Sequence, residues 1–314
     1  MERTNVILAV IVVIGLISVV PIYYLLFDAG SSINSITLAT TTSTDNSGLL
    51  DYLQDEMKKD LPNLHIDVVP VGTGQALENA RLGEADVVMV HARSLEDQFV
   101  GEGYGIHRVD LMYNDFVIVG PADDPAHVKD AINATDAFLK LYQARNDIVF
   151  YTRGDNSGTN VKELSIWNAT KIYVNSSDIN WSNNNQWYQE TGVGMGSTLT
   201  TTSITPNAYT LSDRATYLSS NSTGSIDLKI VYESVGSDQE LLNPYGAILV
   251  NPDKFPDGHI KFDLAKEYVE WLITKGQDVI NSYKLYNQQL FHASFNAHLS
   301  EMSTSELQFW GLNT

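Results

Sequence analysis

The stretch SITLATTTSTDNSGLLDYLQDEMKKDL, residues 35–61, decides the fold. Alternation over Ser35–Thr42 predicts a strand, and Leu49, Leu53, Met57 and Leu61, spaced by four, mark one face of a helix that follows it. Working outward, LHIDVVPV (64–71) reads as a second strand, QALENARLG (75–83) as a helix stopped by Gly83, and ADVVMVH (85–91) as a third strand. This βαβαβ order predicts a parallel sheet with helices on its faces, in which ligands bind beyond the carboxyl ends of the strands.

MYNDFVIVGP (112–121) reads as a strand closed by Gly120-Pro121, and a second α/β series begins with ATDAFLKLYQARN (134–146) and DIVFYT (147–152). Much later, LLNPYGAILVNP (241–252) is again a strand framed by prolines, followed by the helical patterns DLAKEYVEWLIT and GQDVINSYKL. The two framed strands predict chain crossings between two lobes, one built from residues 30–119 with 243–314 and the other from residues 120–242. The Asn/Ser-rich run NATKIYVNSSDINWSNNNQWYQE lacks apolar periodicity and reads as a surface loop, centred on 170–187.

Residues 1–29 stand apart, because Asn5 to Phe27 is an uncharged apolar run of 23 residues. A helix needs about 20 to cross a bilayer core, so a retained N-terminal membrane anchor is expected, with the rest of the chain outside the cytoplasm. The absence of cysteine and the Asn-x-Ser/Thr sequences at Asn133, Asn168, Asn175, Asn180 and Asn221 accord with that placement. A net charge of −19 argues against nucleic acid or an anionic lipid surface as partner. An anionic ligand would need a site made locally positive.

Three junctions supply such chemistry: TTTSTDNSG (40–48), VGTGQA (71–76) and TRGDNSGT (152–159), each placing hydroxyls and glycines where a strand gives way to a helix. Helix N-terminal amides lack intrahelical partners there and favour an anion. Any single junction is explained as well by ordinary capping through Thr44, Asp45, Asn46, Asp155 or Ser157. Three on the ligand-binding edges of two lobes are harder to explain so. A nucleotide phosphate loop and a Gly-x-Ser-x-Gly nucleophile elbow are both missing. The seven histidines are scattered without metal-ligand spacing and read as surface or structural residues.

Taken together, ATTTSTDNSGLLDYL, VGTGQAL, ADVVMVHA, YNDFVIVGP, RGDNSGT, WYQETGVGMGSTL and NPYGAILVNP resemble the substrate-binding component of tungstate ABC importers. RGDNSGT also resembles the Arg-x-x-x-Ser-Gly-Thr element of phosphate-binding proteins. The resemblance implies an α/β, two-lobed periplasmic-binding-protein fold of type II with two crossover strands. It implies a monomer that is not an enzyme and that needs no cofactor or cation ligands. Tungstate is the implied cargo, with molybdate or phosphate as alternatives, and an ABC permease the implied partner. Carried over residue by residue, the oxyanion shell is Arg153, Ser157, Gly158 and Thr159 from one lobe, Thr42, Ser43 and Thr73 from the other, and Thr198. Donors suit such a ligand because a tetrahedral dianion without a proton can only accept hydrogen bonds. The competing class, a surface enzyme acting on an anionic ester, lacks a recognisable nucleophile, base or metal set.

Overall fold

The computed structural model describes residues 34–155, 157–170, 187–234 and 238–312. The expected anchor at residues 5–27 and nearly all of the Asn/Ser-rich loop lie outside them. Among the described residues no helix is long and apolar enough to cross a membrane.

In chain order the elements are β1 (Asn34–Thr41), α1 (Thr42–Asn46), α2 (Leu49–Met57), β2 (Leu64–Val71), α3 (Thr73–Arg81), β3 (Val87–Val90), α4 (Arg93–Gly101) and β4 (Gly105–Gly120). The second series follows: α5 (Ala134–Gln143), β5 (Val149–Thr152), α6 (Gly158–Thr170), β6 (Tyr188–Glu190), α7 (Met195–Ile204), β7 (Ala208–Asp213), α8 (Arg214–Ser222) and β8 (Lys229–Tyr232). The return strand β9 (Leu242–Val250) leads to α9 (Phe262–Ile273), α10 (Lys275–Ser282), the hairpin β10 (Lys284–Leu285) and β11 (Gln288–Gln289), β12 (His292–Ala293), α11 (Phe295–His298) and α12 (Thr304–Phe309).

β1 pairs in parallel with β2 from Asn34↔Leu64 to Thr41↔Val71 and with β3 at Leu38↔Val87, as the βαβαβ reading predicts. β9 inserts antiparallel between β3 and β4, giving the order β2-β1-β3-β9-β4-β7-β5-β6. β4 joins the two lobes. Up to Asp115 it pairs with β9, and from Phe116 it pairs with β7 and β8. Gly120 closes the strand four residues past this change of partners, where a Cβ would meet the Tyr209 ring at 2.3 Å. The front of β4 escapes the alternation rule because its register shifts between Ile106 and Val109 and His107 takes φ 51°.

Strand parity divides the cores. In the first lobe Leu38, Met89 and Leu249 face α2, α9 and α10, whereas Ala39, Val88, Val90 and Ile248 face α3 and α4. In the second, Phe116, Ile118, Phe150 and Tyr209 pack on α5 and α6, and Val117 and Val119 on α7 and α8. The α2 face carries the four-residue spacing, with Leu49, Leu53 and Met57 buried. The helix stops at Met57, so Leu61 belongs to the turn before β2 and is only half-buried. Trp167 of α6 anchors the second core, edge-on to Phe138 at 4.6 Å and Phe150 at 5.5 Å.

Candidate functional site

In the first lobe the register Thr41↔Val71 starts α1 and α3 side by side at the carboxyl edge of the sheet. Thr42 and Ser43 are the first residues of α1 and are exposed, while Thr41 caps the helix by accepting from Thr44 N at 3.4 Å. Thr73 opens α3, whose N-cap is Gly72, so no side chain occupies the first-turn amides. The parallel pairing thus brings Thr42, Ser43 and Thr73 to one edge.

In the second lobe the corresponding edge follows β5. Arg153 Nη2 donates to Asp155 Oδ2 at 2.5 Å, and Asp155 Oδ1 accepts from Ser157 N at 3.1 Å. The Arg153 and Ser157 bonds help hold the Asp155 carboxyl below its usual range although burial opposes them. Arg153 Nε is buried and finds no acceptor among the described residues. Ser157 Oγ accepts from Asn160 N at 3.4 Å, Gly158 begins α6, and Thr159 is buried in its first turn. Thr152 O and Arg153 O accept from Thr191 N and Gly192 N at 2.9 and 3.0 Å, which holds the segment after β6 beside the Arg153 loop. That segment leads to α7, whose N-cap Gly194 likewise supplies no side-chain cap. Thr198 lies one turn farther on, fully buried, with its hydroxyl 2.8 Å from Thr191 Oγ1 and 3.3 Å from Gly194 O.

The two edges meet at His91, just past β3. A Cβ on Gly158 would lie 3.0 Å from His91 Cε1. His91 Nδ1 is 3.0 Å from Asn243 Oδ1, and Asn243 Nδ2 donates to Asn114 Oδ1 at 2.8 Å. The amide nitrogen being spent as donor, His91 Nδ1 carries the hydrogen and Nε2 the lone pair. Burial pushes His91 down to about 4, so it is neutral at pH 7. Its ring lies 4.7 Å from that of Tyr245, whose hydroxyl meets Asn114 and Asn243 and the hydroxyls of Ser43 and Thr44. Lys162 Nζ donates to the carbonyls of Glu240 and Leu242 at 3.0 and 2.9 Å, tying α6 to the return crossing.

The arrangement offers one guanidinium, several hydroxyls and the free ends of helices, which is donor chemistry for an anion. Residues 28–275 match the PBP superfamily domain. The tungstate-binding protein TupA of Peptoclostridium acidaminophilum is 41% identical over 262 residues, covering 82% of this chain and 85% of the relative. The chain belongs to the TupA family of the PBP superfamily. The solved tungstate-binding TupA of Desulfovibrio alaskensis G20 is 38% identical with a TM-score of 0.73, covering 83% of this chain and 98% of that one. The tungstate ABC transporter structure from Geobacter sulfurreducens is 43% identical with a TM-score of 0.64, covering 79% and 98%.

Sequence reasoning about this TupA-family chain passes over His91, Asn114, Asn243 and Tyr245, the polar group at the crossings. Asn243 is separated by 152 positions from His91, so no local pattern could join them. YND and NPYG, which carry Asn114 and Asn243, did mark the crossings, and a polar residue inside each apolar strand was the available signal.

Proposed function

We propose that the protein captures tungstate between its lobes and delivers it to the permease of an ABC importer, tethered outside the cytoplasm by residues 5–27. Arg153 carries the reading: a cation in a strongly acidic chain, with a buried Nε that has no acceptor among the described residues, beside the N-terminus of α6. The TupA relatives, named for tungstate, support the same cargo. Arg153, Ser157, Gly158 and Thr159 grip the oxyanion from the second lobe, and Thr42, Ser43 and Thr73 from the first. Thr198 acts by holding Thr191, to which its hydroxyl is bonded.

The body works as a monomer of the type II arrangement and bends at the crossings, between Asp115 and Pro121 and between Leu242 and Tyr245. Tungstate is cargo, and no cofactor is invoked. Calorimetry of the purified protein against tungstate, molybdate, sulfate and phosphate tests the reading. One tungstate bound per chain, with sulfate excluded, is the expected result. Preference for molybdate or phosphate would reassign the cargo, and turnover of an anionic ester would replace transport with catalysis.

A further inference from the structure

We propose that Glu163 links oxyanion capture to protons: this buried carboxylate beneath the Arg153 loop shifts toward its protonated form, drawing a fraction of a proton per chain from solvent, as a dianion settles between the lobes. The inference rests on the tungstate reading above. Glu163 lies in the second turn of α6, 2% exposed. Its Oε2 accepts from Thr152 Oγ1 at 2.5 Å, and its Oε1 accepts from Tyr188 Oη at 2.7 Å and Trp167 Nε1 at 3.0 Å. Thr152 immediately precedes Arg153, and its hydroxyl also accepts from Asn160 Nδ2 at 3.0 Å. The carboxylate therefore underlies both loops of the second-lobe site, since Thr152 O receives Thr191 N.

No cation pairs with it among the described residues. Lys162, next to it on α6, is directed to the Glu240 and Leu242 carbonyls, and Arg153, after β5, is engaged with Asp155. β6 contributes Tyr188 and, at its end, Glu190, whose carboxyl carbon lies 2.1 Å from where a Gly154 Cβ would be. α5 presents Phe138 to the neighbouring Trp167, and β7 contributes the uncharged Tyr209 and Thr210. Burial raises Glu163 to about 7 despite its hydrogen bonds. A dianion added to the same lobe favours the neutral form further, because like charges disfavour each other's ionised state. Thr152 and Tyr188 are hydroxyls that can accept as well as donate, so the protonated acid keeps its partners.

The test is titration of tungstate into the purified full chain in two buffers of different ionisation enthalpy, which counts protons exchanged. If the anion raises Glu163 by about one pKa unit from about 7, about 0.4 proton is taken up per tungstate at roughly pH 7, and affinity falls roughly sevenfold from about pH 6.5 to about pH 9. Glu163→Gln is expected to abolish the uptake and flatten the pH profile. Tungstate binding by the wild type without uptake, or equal uptake in the variant, overturns the coupling and leaves the cargo standing. No tungstate binding at all sinks both. Should Glu163→Gln fail to fold, Tyr188→Phe removes one donor to the charged form and must move the fall in affinity to higher pH. An unmoved profile there also overturns the coupling.

Discussion

Replacing Gly158 with alanine probes lobe closure at a single atom. Gly158 is the first residue of α6 and does not need the left-handed conformation, so alanine suits its backbone and even favours a helix. The added Cβ, however, would sit 3.0 Å from His91 Cε1 on the facing lobe, about half an ångström inside the ordinary carbon contact of roughly 3.5 to 4.0 Å. His91 has little room to yield, being bonded to Asn243 and flanked by the Tyr245 ring. Overpacking of this kind costs about 1 to 3 kcal/mol, which would weaken tungstate binding roughly 5- to 150-fold. The penalty falls only on the closed arrangement, so the melting temperature of the unliganded protein should hold or rise. Calorimetry and thermal denaturation read the two effects separately. Adding His91→Ala should restore much of the loss. Wild-type affinity in Gly158→Ala, or a double variant no better than the single, would refute the reasoning that these atoms meet across a closing cleft.

Arg153→Ala should leave the circular dichroism spectrum intact and weaken tungstate binding by at least ~1.5 to 3 kcal/mol, the worth of a hydrogen bond to a charged group, with an unchanged dissociation constant counting against the site. Thr73→Ala should weaken binding as well, because one anion is gripped from both lobes, and X-ray scattering should show a smaller radius of gyration with tungstate than without it. A response to only one of the two substitutions would place the site in a single lobe. Glu163 sets a stability trend: with its pKa raised from 4.5 to about 7, its favourable contribution is complete below 4.5 and is lost as pH rises through about 7. That amounts to at most roughly 3 kcal/mol, so denaturant midpoints of the wild type should fall across this window relative to Glu163→Gln, and parallel curves would contradict it.

Much of the first lobe was legible because its signals are local. The β1, α2, β2, α3 and β3 pattern shows in alternation and four-residue spacing, and it implies the parallel pairing of β1 with β2 but not the register Thr41↔Val71. The Arg153-to-Thr159 junction was equally readable, being contiguous. β7 was not, because Ala208–Leu211 and Ser212 are all buried and no polar face alternates with the core. Nor was the fate of Thr198: TGVGMGSTL suggests another donor at a helix start, yet the hydroxyl turns inward to Thr191. His91 reads with the other histidines as surface or structural. Its place beside Gly158 depends on β3, α6 and Asn243 coming together, and no stretch of sequence shows that.

The insertion of β9 between β3 and β4 governs how the chain can acquire its structure during synthesis. β3 and β4 follow one another closely, yet neither hydrogen-bonds the other, and the slot between them stays unfilled until residues 242–250 have been made. The earliest translated lobe is thus the last to be completed, and the later one, whose β5, β6, β7 and β8 are encoded within one run, can consolidate first. Loop closure over so long a separation is slow, and the waiting strand edges are open to the wrong partner. A nascent chain truncated at Leu241 should therefore show a protease-resistant second lobe joined to a cleavable, aggregation-prone first one.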